Sequence, residues 1–365
     1  MSDISNSDIS NNEELHEGSD TALDDAGRDS AEAEILRHVS TVAEESSGGG
    51  SFPLEIIPVI ESRPEHFRLL TRIPYTCFRI GKNRIKLREP AGDEKSMIIL
   101  DTETTGLDFL KDRIIELAMV KVKYSPGLGV VTSIENIYDE LEDPMKPLDP
   151  AVVKITGITD DDVKGKKIDD GEVSAIMADS PLIIAHNARF DRRMFEKRFA
   201  HLKHLCELPW GCTLSEINWN ALDGRIFSKK QEAIALSMGY FYDAHRASTD
   251  CLALLWLLNC VQGALSMLLS SVDSYTYTIR ALNAPYDAKD ILKSRGYQWF
   301  DREKVKADSK SFWWMKYPKY WYKSVGSVDE YQQEVAFLME LYGMPINADN
   351  QQEFTCVDTA FTRYK

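Results

Sequence analysis

Three groups of side chains, far apart in the sequence, have the types and spacing of a hydrolytic site. Asp101-Thr-Glu103 follows directly on the apolar run Met97-Ile-Ile-Leu100. Along an extended strand, residues two apart point to the same face, so the two carboxylates stand about 7 Å apart at the strand's end. Such a pair repels unless a cation lies between its members. Mg²⁺ suits the position, because it takes one or two carboxylates and keeps waters for substrate oxygens. A second carboxylate, Asp191, comes after Leu182-Ile-Ile-Ala185 and opens a helical pattern. Its neighbours His186, Asn187 and Phe190 predict a packed strand-to-helix junction. The third group, His245-Arg-Ala-Ser-Thr-Asp250, leads from a loop into the apolar helix running to Leu258. Each group alone has an ordinary explanation: a solvated turn, an acid favoured at a helix N-terminus, a loop histidine bonded to backbone. Together, at the ends of core strands and the start of a buried helix, they predict one acidic pocket.

The elements that must position these groups are legible in the apolar pattern. Met97–Leu100, Arg113–Lys123 and Val130–Tyr138 are predicted strands, the last two joined by the turn residues Ser125-Pro-Gly-Leu-Gly129. Short turns make the three an antiparallel meander. A loop over Asp143–Pro150, a helix near Gly171–Ala178 and a short strand over Leu182–Ala185 follow. Helical patterns cover Asp191–His201, Gln231–Met238 and Ala247–Gly263. The predicted class is α/β, a mixed sheet (three-strand meander plus parallel strands) flanked by helices.

The 365 residues suggest about two domains. The net charge of −15 is unevenly spread. Residues 1–50 hold 13 acidic and two basic residues, so the other 315 carry only −4. Rich in Ser, Asp, Glu, Asn and Gly, residues 1–51 are read as a disordered acidic tail, with a transient helix over Ala31–Val42. Residues 52–95 read as a small N-terminal extension, 96–268 as the main domain and 269–365 as a C-terminal α+β module. In 275–325, eleven Lys/Arg oppose five Asp/Glu among thirteen aromatics, including Trp299, Trp313, Trp314 and Trp321. Cations that track phosphates and rings that stack on bases fit a nucleic-acid surface; core packing or docking to a protein is the competing explanation. A final helix is predicted over Val328–Tyr342.

Six cysteines form no C-x-x-C pair, which argues against a disulfide scaffold and a structural zinc site. The longest apolar run, Cys251–Leu258, is far short of the roughly 20 residues of a membrane span. No apolar signal region opens the chain. The expectation is a cytoplasmic protein with no membrane partner.

At this point the residues resemble a known family, the DEDDh 3′–5′ exonucleases, which include the epsilon proofreading subunit of bacterial DNA polymerase III. The resemblance covers roughly residues 96–262. Its first motif matches Ile99-Leu-Asp101-Thr-Glu103-Thr-Thr-Gly106-Leu107, its second Ile184-Ala-His-Asn187-Ala-Arg-Phe-Asp191, its third His245–Asp250. All five signature residues are present in order. Trp210–Thr213, Ser215–Trp219 and the pattern from Ala284 to Trp299 are similar to stand-alone bacterial exonuclease-like proteins with an extra C-terminal module.

The resemblance implies a ribonuclease H-like sheet and two Mg²⁺ ions, replaceable by Mn²⁺, that clamp the scissile phosphate. By motif position Asp101 would bridge the ions, Glu103 and Asp250 would hold the nucleophile-side ion, and Asp191 would act on the leaving-group side. His245 would be the general base, since imidazole titrates near neutral pH. Thr104 and Leu107 would meet the terminal 3′-hydroxyl and wedge beside the last base; Thr156 and Asn187 complete the expected substrate contacts. Two departures stand out. Thr156 replaces the His of a common His-Gly-Ile loop, and Cys212 stands where many members have Asp before Thr. The implied partner is the 3′ end of a single strand, DNA favoured over RNA, with a replication or repair protein as a further partner through 275–365. An exoribonuclease and a non-enzymatic polymerase-associated binding subunit are the alternatives.

Overall fold

The computed structural model describes residues 56–77, 84–301, 319–347, 349–350 and 354–364. The acidic tail, the helix expected over Ala31–Val42 and the Trp313–Trp314 pair lie outside the described residues. Two compact units divide the chain, Met1–Leu69 and Leu70–Lys365. In the first, Ile57–Ser62 is a short helix with Pro58 in its opening turn, where the missing N–H has no intrahelical partner to lose.

Strands of the second unit are β1 (Thr71–Arg72), β2 (Ile85–Lys86), β3 (Lys95–Thr104), β4 (Ile114–Ser125), β5 (Val130–Leu141) and β6 (Ile183–Ala185). They continue as β7 (Trp210–Cys212), β8 (Tyr240–Phe241), β9 (Thr276–Leu282), β10 (Gln298–Asp301), β11 (Lys319–Val325) and β12 (Thr355–Asp358). The central sheet has the order β2-β5-β4-β3-β6-β7. β3, β4 and β5 form the expected antiparallel meander, and β6 and β7 extend it in parallel. Residues 70–77 and 84–95 are part of this body: β2 pairs with β5, β1 pairs with β8, and Ile73 is fully buried.

Both faces of β3 are covered, which is why its apolar run does not alternate with polar residues. Met97 and Ile99 face a cluster that contains Leu254, Leu255 and Leu258 of helix Ala247–Cys260. Ile98 and Leu100 face the opposite cluster, with Met194 and Phe195 of helix Ala188–Arg198. This alternation carries past Leu100 and sorts the polar residues that follow. Asp101 and Glu103 emerge on the side of helix Ala247–Cys260, Thr102 on the side of helix Ala188–Arg198. The predicted helix Ala247–Gly263 stops at Cys260, and a second helix, Ala264–Val272, starts after Gly263 at φ 84°. Among the described residues no single helix is long and apolar enough to cross a membrane, and this adjacent pair is bent by 104°.

Beyond Thr276 a second sheet has the order β10-β11-β9-β12, antiparallel throughout. With helices Lys289–Ser294 and Val328–Tyr342 between its strands, the chain order is β-α-β-β-α-β. Ile279, Ala281 and Val325 share a buried cluster with Leu292 and Leu338 of the two helices. The chain's end then returns to the central sheet. Trp210 on edge strand β7 donates its N–H to the Ala360 carbonyl at 2.8 Å, covering an edge that would otherwise invite pairing. The buried Arg192 guanidinium donates to the carbonyls of Ala360, Phe361 and Arg363 at 3.2, 2.8 and 2.8 Å.

Candidate active site

The sorting of β3 brings three of the predicted carboxylates to one point. Asp101, Glu103 and Asp250 offer oxygens that all lie within 4.8 Å of one another. Asp250 is on the first turn of helix Ala247–Cys260, packed on the face from which Asp101 and Glu103 emerge. Its Oδ1 accepts from the Tyr242 hydroxyl at 3.0 Å and its Oδ2 from the His245 main-chain N–H at 2.8 Å. Asp191, 3% exposed, approaches from the other side of the strand. Its Oδ1 accepts from both the N–H and the hydroxyl of Thr102, at 3.1 and 2.9 Å. It therefore stands beside the trio, tied to the residue between Asp101 and Glu103.

The electrostatics are those of a site built for a cation. Burial, then the neighbouring Asp191, Asp250 and Glu103, drive the Asp101 carboxyl well above the usual range. Burial and then Asp250 push Glu103 up to about 8. Asp191 rises to about 7, chiefly through burial, against the lowering by the Thr102 hydrogen bonds. Asp250 rises to about 6 for the same first reason, held back by Tyr242 and the His245 N–H. Close carboxylates that resist ionising together gain most from a divalent ion. The donors are all hard oxygens, which suits Mg²⁺ or Mn²⁺ better than a soft metal.

His245 is exposed and sits at φ 70°, a left-handed backbone that is rare outside glycine and worth a functional explanation. The turn precedes the helix by two residues, and it is the main-chain N–H of His245 that reaches Asp250. Thr104 is buried, and its hydroxyl donates to the Gly106 carbonyl at 2.7 Å. Leu107 is 84% exposed, so it is not core packing. Asn187 is exposed at the start of helix Ala188–Arg198. Thr156 is not brought to the cluster by any hydrogen bond: its buried hydroxyl donates to the Val152 carbonyl and accepts the Ile158 N–H.

A family model described as an exonuclease, RNase_T, matches residues 98–258. Those residues belong to the DEDD-type 3′–5′ exonuclease family. DNA polymerase III PolC-type of Halalkalibacterium halodurans is 37% identical over 101 residues, 27% of this chain and 6% of the relative. Its Bacillus subtilis counterpart is 35% identical over 105 residues, again 27% and 6%. The chain thus spans about 6% of the length of these curated relatives. The structure of Exonuclease X in complex with 5′ overhanging duplex DNA is 25% identical, with a TM-score of 0.33, over 48% of this chain and 92% of that one. E. coli Exonuclease I in complex with a dA16 oligonucleotide is 15% identical, with a TM-score of 0.41, over 71% and 69%.

Within the exonuclease domain, several residues that sequence reasoning missed hold the acidic group in place. Glu116, fully buried on β4, lies directly across from Glu103 in the sheet, a pairing of like charges that is unfavourable by itself. Arg246 offsets it, with Nε and Nη2 at 2.9 and 2.5 Å from Glu116 Oε1. Glu116 Oε2 accepts the Ala247 N–H at 2.9 Å and so caps the helix that carries Asp250. Gln231 donates to the Asp250 carbonyl and to Tyr242. His186 joins Thr213 to the Lys229 carbonyl at 2.9 and 2.8 Å, and burial lowers it to about 4, keeping it neutral. The signal available for Glu116 was its position, a lone acid within the apolar run Ile114–Val120.

Proposed function

We propose that the chain is a metal-dependent 3′–5′ exonuclease that hydrolyses the terminal phosphodiester of single-stranded DNA and releases nucleoside 5′-monophosphates. The observation that carries this reading is the convergence of Asp101, Glu103 and Asp250 within 4.8 Å, in a domain of the exonuclease family. Those three carboxylates and Asp191 would hold two Mg²⁺ ions, for which Mn²⁺ can substitute. Bound there, the ions supply the charge that a phosphoryl centre needs on its entering and leaving oxygens. His245 takes the proton of the attacking water. The water oxygen forms the new bond to phosphorus, the bond to the 3′-oxygen of the preceding nucleotide breaks, and that oxygen takes up a proton from solvent.

Strand polarity rests on the segment after Glu103. Thr104 sits where main-chain groups can meet a terminal 3′-hydroxyl, and the exposed Leu107 is free to wedge beside the last base, with Asn187 and Thr156 as the outer contacts. DNA is favoured because the PolC-type relatives are DNA polymerases by name, and a role in replication or repair follows from the same relatives. A reducing cytoplasm suits the six thiols, which form no disulfide among the described residues. The test is direct. Matched 5′-labelled DNA and RNA oligomers are incubated with Mg²⁺ or Mn²⁺, and DNA should shorten to a ladder that Asp101→Ala abolishes. A ladder only from RNA would make the enzyme an exoribonuclease; no ladder from either would remove the enzymatic reading.

A further inference from the structure

The C-terminal sheet has one face turned away from Ile279 and Ala281, buried at Leu282 and Tyr320 and partly open at Phe300 and Tyr322. The register pairs Gln298, Tyr322 and Arg280 on one face, and Phe300, Tyr320 and Leu282 beside them. Ile279 and Ala281, on the opposite face of β9, belong to the helix-side core. The first face looks into a cleft of about 890 Å³ whose other wall is the exonuclease domain, including Asn187, Arg189 and Leu214.

Three features specify an occupant. Aromatic rings recur at alternate positions of β11 and on its neighbour: Phe300 stacks on Tyr320 with centroids 4.8 Å apart and planes 29° apart, and the half-buried Tyr322 comes next along the same face. Flat rings on a four-stranded sheet accept unpaired bases whatever their sequence. The exposed Arg189 lines one wall, and such a cation is what a phosphate backbone follows; Arg280 on the other wall is buried. The carboxylates Glu216 and Asp358 also line the cleft, but Glu216 is engaged by Arg363.

The third feature is continuity with the acidic group. Ile99 is level with Ile184 across β3 and β6, and Ile184 with Gly211 across β6 and β7. Two residues further on, Asp101, His186 and Thr213 therefore stand abreast at one edge of the sheet. Asn187 and Leu214, which line the cleft, are one residue beyond, in the segments that follow β6 and β7, strands that lie about 5 and about 10 Å from β3. Arg189 is two residues ahead of Asp191 on the same helix. The exonuclease wall of the cleft is thus built just past the ends of β6 and β7, on the same side of the sheet as the end of β3 that carries Asp101.

We propose that this face of the C-terminal sheet binds the single DNA strand on the 5′ side of the terminal nucleotide, with bases stacked on Tyr322 and on Phe300, whose ring is backed by the buried Tyr320. The inference rests on the exonuclease reading for the polarity of the strand, while the binding face is separately measurable. The rings hold a strand longer than the acidic pocket alone can reach, so affinity grows with length until the cleft is filled.

The experiment measures anisotropy of fluorescein-labelled dT4 and dT20 with the full chain in EDTA, where hydrolysis is off, alongside Mn²⁺-dependent hydrolysis of unlabelled dT20. Tyr322→Ala should weaken dT20 binding about tenfold and leave dT4 unchanged, while Tyr322→Phe, which keeps the ring and loses the hydroxyl bonded to Gln298, stays within about twofold of wild type. Ser324→Glu, exposed on the same face, places a charge against the phosphates without touching the core, and should also weaken dT20 if Tyr322→Ala does not fold. Wild-type affinity for dT20 in both Tyr322→Ala and Ser324→Glu overturns the proposal, as does an equal loss in Tyr322→Phe and Tyr322→Ala. Hydrolysis of dT20 with affinity independent of these residues removes the face alone. Tyr322-dependent binding without hydrolysis removes the exonuclease reading and leaves the face standing.

Discussion

The main-chain N–H of His245 donates to Oδ2 of Asp250 at 2.8 Å. A residue proposed to move a proton and one proposed to hold a metal are thereby joined through a single turn, and the turn requires φ 70° at His245. Backbone and imidazole can be separated by substitution. His245→Gly removes the ring and relaxes the left-handed backbone, so the protein should be as stable as wild type or more stable by about 1 kcal/mol. His245→Ala keeps the unfavourable conformation and gains nothing. Both should lose about 10²- to 10⁴-fold in kcat, with Mn²⁺-induced thermal stabilisation retained. Calorimetry of the two variants beside single-turnover rates checks this; a Gly variant with wild-type rate would remove His245 from the chemistry.

The raised carboxyls make a prediction about pH. Glu103 lies at about 8 against an ordinary 4.5, and Asp191 and Asp250 lie at about 7 and about 6 against 3.8. Between those limits the folded protein without metal binds more protons than the unfolded chain. Its stability then falls as pH rises. The thermal midpoint in EDTA should decline from about pH 4.5 to about pH 8, and Mg²⁺ or Mn²⁺ should raise it most at the alkaline end. Asp101→Asn removes one charge from the group. It should flatten the EDTA profile and cut the metal-induced rise, as thermal scans at several pH values would show.

How far the sequence could carry this site depends on periodicity. Asp101, Glu103, Asp191 and Asp250 were legible because an apolar run precedes the first three and follows the last, and its spacing fixes each one's face or its place on a helix; His245 was placed only by its distance from Asp250. Glu116, Tyr242 and Gln231 were not legible, because their partners lie across the sheet or on another helix, and one sequence does not reveal strand register. β7 is three residues long, and Trp210-Gly-Cys212 has no alternation to recognise. The split of the C-terminal aromatics between a helix-facing core and a cleft became visible only with the order of β9 to β12. The break at Val261–Gly263 was hidden in an apolar run that reads as one helix.

Leu107 offers a test that separates binding from folding. With 84% of its surface exposed, Leu107→Ser should change stability by less than about 0.5 kcal/mol. If the side chain wedges beside the terminal base, KM for a DNA strand rises several-fold and kcat on a saturating strand changes less. Steady-state kinetics on dT20 together with a denaturation curve distinguish the outcomes. Unchanged KM would leave Leu107 as an ordinary exposed residue.

Glu116 tests whether the support of the site matters as much as its ligands. It joins β4 to the start of helix Ala247–Cys260 through Arg246 and the Ala247 N–H, and that helix carries Asp250. Glu116→Gln keeps the shape and one acceptor but loses the charge facing Arg246. Leaving a buried polar group imperfectly paired costs about 1–3 kcal/mol, so the variant should remain folded at 25 °C with a lower thermal midpoint. Removing a negative charge opposite Glu103 also lowers the repulsion that keeps Glu103 protonated. The alkaline fall in EDTA should therefore soften in Glu116→Gln even as overall stability drops. Asp250 would at the same time be held less firmly, and the Mn²⁺ concentration for half-maximal activity should rise. A purely structural residue would lower the midpoint and leave both the pH profile and the metal requirement where they were.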